Sequence, residues 1–169
     1  MEVVDSAIIR ESPFGWLSAV WTRKGLYSLS FGTKNPRAAL ERVSRPDIEC
    51  IEPQTEHDDV VQRVLAFLDG NADSFLDLKI DHSGRTEFQR RVLEACRRIK
   101  MGATMTYGEL ATKAKSPRAA RAVGSTMAKN RVPLIIPCHR VLAAGGKIGG
   151  FSAPHGIDMK RRLLAVEGN

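Results

Sequence analysis

The spacing of apolar residues changes near Asp81, so the chain is predicted to combine two kinds of structure. Before that point, residues 16–21 and 26–31 flank a polar break, and the second run alternates apolar with small polar side chains, which predicts a β-hairpin. Residues 56–69 instead carry apolar side chains at helical spacing, and Gly70 stands where a helix C-terminal cap belongs. The first part of the chain is therefore predicted to be a small α/β scaffold.

Capping boxes open the helices of the second part. Thr86 with Gln89 starts a helix that we expect Gly102 to end. The inner face of this helix is expected to consist of Phe88, Val92, Leu93, Cys96 and Ile99. Cys96 is thus expected to be a core residue.

A helix-turn-helix pattern follows. Thr106 with Glu109 starts a short helix that ends near Ala114. After a turn of three or four residues, Ser116–Pro117 is predicted to cap a third helix that runs to about residue 130. Two short helices joined in this way are typical of DNA-binding domains, although such patterns also arise by chance.

The third helix is rich in Ala, Gly, Ser and Thr, and Arg121 is a long side chain flanked by alanines. Small residues favour a close fit, either in a narrow DNA groove contacted through its backbone or against another helix. Charge supports the first option, because residues 1–84 hold 9 Lys and Arg against 14 Asp and Glu, whereas residues 85–169 hold 17 against 5. A basic half predicts a polyanionic partner, and a solvated basic surface is the alternative.

Other classes of protein are disfavoured. There is no run of about 18 apolar residues for a membrane span, and Glu2 and Asp5 stand where a signal peptide carries positive charge. The cysteines Cys50, Cys96 and Cys138 form no C-x-x-C pair, so neither a disulfide framework nor a zinc ribbon is expected. We expect a reducing, intracellular setting.

The chemical centre is the sequence Pro137-Cys138-His139-Arg140, which follows a strand-like apolar run. A thiol with a pKa of about 8.5 is only about 3% ionised at neutral pH, so its chemistry needs a base or a positive environment. His139 could supply the base. Because successive strand side chains point to opposite faces, either the chain turns after Pro137 or a water bridges the two side chains.

The Cys-His pair alone leaves several interpretations open: a structural pair, a cysteine hydrolase, a redox sensor or a metal site. A metal is the least favoured, because His57, His82 and His155 lack ligand spacing. The glycine-rich residues 145–150 and Phe151 predict a pocket for a flat polar ring. No phosphate-binding glycine motif is present, so no nucleotide cofactor is expected.

Four motifs resemble the O6-alkylguanine-DNA alkyltransferase family. They are TYGEL at 106–110, RAARAVG at 118–124, the segment 130–142 around IPCHRV, and LLAVEG at 163–168. The resemblance covers about residues 80–168. It implies an α/β N-terminal ribonuclease-H-like domain over residues 1–80, and a mainly α C-terminal domain with a winged helix-turn-helix over residues 81–169.

The resemblance also implies an activity. Cys138 would accept the alkyl group of O6-alkylguanine in one irreversible transfer, with the damaged nucleotide flipped out of the duplex. His139 would polarise Cys138 through a water, and Glu167 would orient His139. The implied partner is double-stranded DNA containing O6-alkylguanine, bound by a cytoplasmic or nuclear monomer without metal, cofactor or membrane; cooperativity on DNA stays open. The alternatives are a helix-turn-helix alkylation or redox sensor and a non-catalytic lesion binder.

Binding residues are implied in the same way. Arg121 would fill the space vacated in the duplex, Tyr107 would lie near the base and its phosphate, and Asn130 would fix the turn. The Val141 carbonyl would accept from the guanine amine, and the Ser152 N–H would donate to O6. The DNA-binding set is Tyr107, Arg118, Ala119, Arg121, Gly124 and Ser125, and the pocket set is Tyr107, Met127, Asn130, Pro133, Val141, Phe151 and Ser152.

Two positions depart from the family pattern. Phe151 stands where the family usually has Tyr, so a hydroxyl contact is absent and the tolerance of bulky alkyl groups is expected to differ. Arg131 stands where many members have Pro, which predicts a less rigid turn with one more positive charge near DNA.

Overall fold

A computed structural model describes residues 4–42 and 56–168, with side chains in the first range described from Ser6 onward. Cys50 lies outside these residues. The chain divides into two compact units, Met1–Asp73 with Asp77–Asp81 and Ser74–Leu76 with His82–Asn169. Within the described residues, no helix is both long and apolar enough to cross a bilayer.

The first unit contains an antiparallel sheet of three strands in the order β1-β2-β3. Its strands are β1 (Val4–Ser12), β2 (Gly15–Thr22) and β3 (Gly25–Thr33). The predicted hairpin is confirmed as β2 and β3. Strand β1 was not predicted, because its apolar residues are consecutive and lack the alternation that identifies a half-buried strand.

Two helices complete the described part of this unit. Helix α1 (Pro36–Arg42) packs against β2 and β3, and α2 (Asp58–Leu68) packs against β1. The helix predicted over residues 56–69 is confirmed in α2, which buries one apolar face. Gly70 follows it with a φ of +98°, a conformation that costs glycine little.

The second unit is mainly helical. It contains α3 (Glu87–Arg97), β4 (Met105–Thr106), α4 (Tyr107–Lys113), α5 (Ala120–Ala128), β5 (Val141–Leu142) and α6 (Gly156–Val166). Helix α3 packs against both α4 and α5, which also pack against each other. The parallel pair of β4 and β5 joins the start of α4 to the segment that follows Cys138.

Both capping boxes are confirmed. The Thr86 Oγ1 accepts from the Gln89 N–H at 3.2 Å, and the Thr106 Oγ1 accepts from the Glu109 N–H at 3.2 Å. Cys96 is fully buried, as predicted. Two details of α3 were wrong: Phe88 is only half-buried, and the helix ends at Arg97, before Gly102.

The predicted start of α5 at Ser116–Pro117 is wrong. The Ser116 N–H donates back to the Ala111 carbonyl at 2.9 Å, while Lys115 adopts a φ of +60°. This pattern closes the C-terminus of α4, so Ser116 belongs to the end of one helix and does not cap the next. Residues 114–119 therefore form a longer turn than predicted, and α5 begins at Ala120.

The predicted strand before Cys138 is also wrong. Residues 131–136 form successive turns, in which the Ile136 N–H donates to the Val132 carbonyl at 2.9 Å and Leu134 has a φ of +71°. Pro133 and Pro137 lack the N–H groups that a strand ladder needs. The apolar side chains here are buried in a compact loop, and their burial produced the strand-like pattern.

Candidate active site

Cys138 begins a short 3₁₀ turn, Cys138–Arg140, directly after Pro137. The Val141 N–H closes this turn on the Cys138 carbonyl, and the chain continues into β5. The chain therefore turns after Pro137, which was one of the two geometries left open by the sequence. Cys138 is 6% exposed, so its thiol is almost enclosed by protein.

The Asn130 side chain stabilises the loop that precedes Cys138. Its Oδ1 accepts from the Val132 N–H at 3.0 Å, and its Nδ2 donates to the Ile136 carbonyl at 2.9 Å. A single side chain thus holds both ends of the turns between α5 and Pro137. Asn130 also hydrogen-bonds Cys138, which lowers the pKa of the thiol.

His139 is fully buried and bonded to a carboxylate. Its Nε2 lies 2.7 Å from the Glu167 Oε1, whereas its Nδ1 has no hydrogen-bond partner among the described residues. The Glu167 carboxylate also accepts three hydrogen bonds of 2.8–3.1 Å from the Nε and Nη2 atoms of Arg140. The remaining Arg140 nitrogen, Nη1, donates to the Ile99 carbonyl at 2.5 Å.

Burial and charge set the protonation states of this cluster. Burial raises the pKa of the Cys138 thiol above its ordinary value, and Asn130, Lys160 and nearby backbone N–H groups offset only part of that rise. Burial lowers the pKa of His139 more than Glu167 raises it, so the imidazole is neutral near pH 7. Burial raises the pKa of Glu167, but the hydrogen bonds from His139 and Arg140 outweigh it and bring that pKa to about 2.

A cavity of about 490 Å³ opens over Cys138. Its other lining residues are Tyr107, Gly124, Met127, Ala128, Gly150, Phe151 and Ser152. Of the residues expected in a pocket, Tyr107, Met127, Phe151 and Ser152 line this cavity. Asn130, Pro133 and Val141 do not line it, although Asn130 bonds Cys138 and Val141 follows the turn.

Helix α5 presents its small residues beside this cavity. Gly124 belongs both to the cavity lining and to the expected DNA-binding set, and Arg121 and Ser125 on the same helix are exposed. Arg118 is exposed and, with the half-buried Ala119, precedes the helix. The helix therefore contributes Gly124 to the cavity wall and exposes Arg121 and Ser125 on its surface.

Comparison with known proteins decides the family. Residues 87–169 match the family model for the 6-O-methylguanine DNA methyltransferase DNA binding domain. Methylated-DNA–protein-cysteine methyltransferases of Methanosarcina acetivorans and Methanosarcina barkeri are 35% and 37% identical, with 95% of this chain covered in each case and 97% and 96% of theirs. The crystal structure of Mycobacterium tuberculosis OGT in complex with DNA aligns at a TM-score of 0.77 and 33% identity, covering 96% of this chain and 93% of that one.

The chain belongs to the methylated-DNA–protein-cysteine methyltransferase family.

In this methyltransferase, sequence reasoning missed three residues of the site. Arg140 belongs to the Pro-Cys-His-Arg sequence, but nothing in that sequence shows that its guanidinium hydrogen-bonds the Glu167 carboxylate. Lys160 is fully buried, which the pattern of an amphipathic helix does not reveal. Gly149 has a signal in the glycine-rich segment, yet only the structure shows that an added Cβ would lie 3.3 Å from Tyr107.

Arg131, which stands where many family members have proline, forms a hydrogen bond in this methyltransferase. Its Nη2 donates to the Ser83 carbonyl at 3.0 Å, which ties the turn after α5 to the loop before α3. A proline at this position could make no such bond.

The pKa of Glu167 gives a prediction for acid stability. A carboxyl group whose pKa is lower in the folded protein stabilises the fold above its ordinary pKa, and this contribution is lost as the pH falls toward about 2. We expect the free energy of unfolding of the wild type to fall by on the order of 2 kcal/mol more than that of Glu167→Gln between about pH 5 and pH 2. Urea titrations at each pH measure this difference. Parallel curves of unfolding free energy against pH for the two proteins would contradict an ionised Glu167.

Proposed function

We propose that this protein repairs DNA by transferring the alkyl group from O6-alkylguanine to its own Cys138. The observation that carries the proposal is the position of Cys138 in the cavity beside α5, next to the His139–Glu167 pair. Membership of the methyltransferase family supports the same reaction. The protein acts as a methylated-DNA–protein-cysteine S-methyltransferase that consumes itself.

The proposed transfer starts with removal of the Cys138 proton. The buried His139 Nδ1 is free to accept a proton through one water molecule, because Glu167 engages the opposite nitrogen. The thiolate sulfur then forms a bond to the alkyl carbon as the carbon–O6 bond breaks, and the electron pair of that bond stays with guanine. The proton from Cys138 ends on the guanine, so the departing base is neutral.

The product explains a single turnover. Cys138 becomes a thioether, and it is the only cysteine among the residues that line the described cavity. A thioether is not an acyl-enzyme that water can hydrolyse, so the site is not regenerated. Each protein molecule is expected to repair one lesion.

DNA recognition is proposed to use α4 and α5. The O6 atom lies inside a base pair, so the damaged nucleotide must leave the stack before it reaches Cys138. We assign α5 to the minor groove, where its small residues permit close approach. Arg121 fills the space left in the duplex, while Arg118, Ala119, Gly124 and Ser125 contact the DNA around it.

The cavity is proposed to hold the flipped guanine. Tyr107 lies near the base and its phosphate, and Phe151 and Met127 provide apolar contact. The Ser152 N–H donates to O6. Pro133 and Val141 do not line the cavity, so they are not assigned a contact with the base. These contacts distinguish guanine from the other bases by its edge.

We also propose the fold of each unit from the family resemblance. We assign the sheet and helices of the first unit to a ribonuclease-H-like fold, and α4 and α5 with the adjoining strands to a winged helix-turn-helix. We expect a monomer that needs no cofactor and no metal. Because its partner is DNA, we expect the protein in the cytoplasm on the nucleoid or, in a eukaryote, in the nucleus.

Cys138→Ser tests the nucleophile. The hydroxyl has nearly the same size as the thiol but is a far weaker nucleophile at neutral pH, so alkyl transfer should fall below detection. Binding to a duplex with one O6-methylguanine should stay within about twofold of the wild type. Loss of the lesion from the duplex measures transfer, and a Ser variant that still removes it would refute the assignment. Cys96→Ser is the control, because this cysteine lies in the core and is expected to leave transfer intact.

Gly149→Ala tests the packing behind Tyr107. A Cβ at Gly149 would lie 3.3 Å from the Tyr107 ring and hydroxyl, so the phenol or the loop must move by a few tenths of an ångström. We expect the transfer rate to fall several-fold, because a small misplacement of a substrate contact slows a reaction. Ala144→Ser is the control, since it adds one heavy atom at an exposed position of the same segment that does not line the cavity. Equal rates for the two variants would contradict this role of Tyr107.

A further inference from the structure

Two arginines exchange hydrogen bonds between the loop before α3 and the end of α5. The Arg85 Nη2 donates to the Lys129 carbonyl, and the Arg131 Nη2 donates to the Ser83 carbonyl at 3.0 Å. Each segment therefore supplies one guanidinium and one carbonyl, and we call this crossed pair of bonds the arginine clasp. Neither arginine lines the cysteine cavity or takes part in the proposed transfer.

Helix α5 has little of its own to fix its position. It has nine residues, Gly124 lies in its interior, and Ala119 precedes it without a side-chain capping bond. The last carbonyls of a helix have no partners within the helix, and they carry partial negative charge that favours a cation. Lys129 is the C-terminal cap residue of α5, so Arg85 binds the helix where such a partner is needed.

The loop side of the clasp is anchored on α3. The Arg85 N–H donates to the His82 carbonyl at 3.0 Å, and the His82 Nε2 lies 2.8 Å from the Glu94 Oε1 on α3. The next residue, Thr86, forms the capping box that begins α3. Because α3 buries its inner face in the core of the second unit, the clasp connects α5 to a well-packed helix.

Asn130 lies between the two clasped residues, Lys129 and Arg131. Its Nδ2 donates to the Ile136 carbonyl at 2.9 Å, and the same carbonyl accepts from the Cys138 N–H at 2.8 Å. The Asn130 side chain therefore connects the clasped backbone to the backbone of Cys138 through one shared acceptor.

The cysteine cavity takes its walls from both sides of this connection. Gly124, Met127 and Ala128 come from α5, and Cys138 comes from the turn that follows the loop. If α5 moved relative to that turn, the wall that positions a substrate would move relative to the sulfur. Transfer needs the reacting atoms about 3–3.5 Å apart and aligned, so such a shift would slow it.

We propose that Arg85 and Arg131 are positioning residues that fix α5 and the Cys138 turn relative to each other. They act through Lys129 and Asn130, and the role needs no contact with the alkyl group or with DNA. The effect on the transfer rate rests on the proposed function. The clasp itself can be measured without DNA, so the two can fail separately.

The first test measures amide hydrogen exchange by mass spectrometry in the protein without DNA. Arg85→Gln and Arg131→Gln each remove one guanidinium from the clasp. Arg90→Gln is the matched control, since it removes one positive charge from an exposed position of α3. In both clasp variants, peptides covering residues 129–138 should exchange at least about tenfold faster, while peptides of α3 keep the wild-type rate.

Unchanged exchange over residues 129–138 in both clasp variants would overturn the proposal. Faster exchange in α3 to the same degree would also overturn it, because that indicates a general loss of stability. Arg90→Gln should match the wild type in every peptide, and a change over residues 129–138 in this control would show that charge alone accounts for the effect.

The second test measures single-turnover transfer from a duplex with one O6-methylguanine at increasing duplex concentration. In both clasp variants we expect the rate at saturating duplex to fall at least about threefold, because the cavity wall and the sulfur lose their alignment. The duplex concentration for half-maximal rate should stay within about twofold of the wild type, since neither arginine needs to bind a phosphate. A wild-type rate at saturation with weaker binding and a shallower salt dependence would overturn the proposal in favour of phosphate contacts.

A third measurement uses the unmutated protein, in case the variants fail to fold. Hydrogen bonds to carbonyls slow the rotation of a guanidinium, so the Nη groups of Arg85 and Arg131 should give separate NMR signals. The exposed Arg90 should give one averaged signal. Averaged signals for both Arg85 and Arg131 would overturn the proposal. Loss of methyl transfer in the wild type would instead count against the repair function, because the exchange and NMR measurements do not involve O6-methylguanine.

Discussion

The contact between the Glu167 carboxylate and the Cys138–Arg140 turn connects several parts of the second unit. One carboxylate at the end of α6 receives His139 and Arg140, two consecutive residues of the turn that begins with Cys138. Because Arg140 also bonds the Ile99 carbonyl, the same contact reaches the segment after α3. This buried ionic contact therefore connects the Cys138–Arg140 turn to the last helix. Breaking such a contact leaves a buried charge unpaired, which is more costly than losing an ordinary surface pair.

The cluster also explains why a nearly enclosed thiol can react. Burial alone would keep Cys138 protonated, and a neutral thiol is a poor nucleophile. Asn130, the backbone N–H groups and Lys160 oppose the effect of burial, and the His139 Nδ1 has no hydrogen-bond partner among the described residues. The protein thus surrounds its buried cysteine with groups that oppose the effect of burial on the pKa of the thiol.

Local signals predicted the elements that depend on neighbours in sequence. Both capping boxes and Gly70 rest on hydrogen bonds and backbone angles within a few residues, so they could be read directly. The turns before Cys138 and the late start of α5 could not, because they place the non-glycine residues Lys115 and Leu134 at positive φ, and no glycine marks these positions in the sequence. The buried partners Arg140 and Lys160 are long polar side chains whose burial arises only from tertiary packing.

The central claim is that Cys138 accepts one alkyl group and is then spent. The most direct measurement mixes the protein with an excess of duplex carrying one O6-methylguanine and determines the mass of the intact protein and of its peptides. We expect one added methyl group per molecule, on the peptide that contains Cys138, with one lesion lost for each protein molecule. Unmodified protein that still binds the lesion, or many lesions removed per molecule, would contradict it.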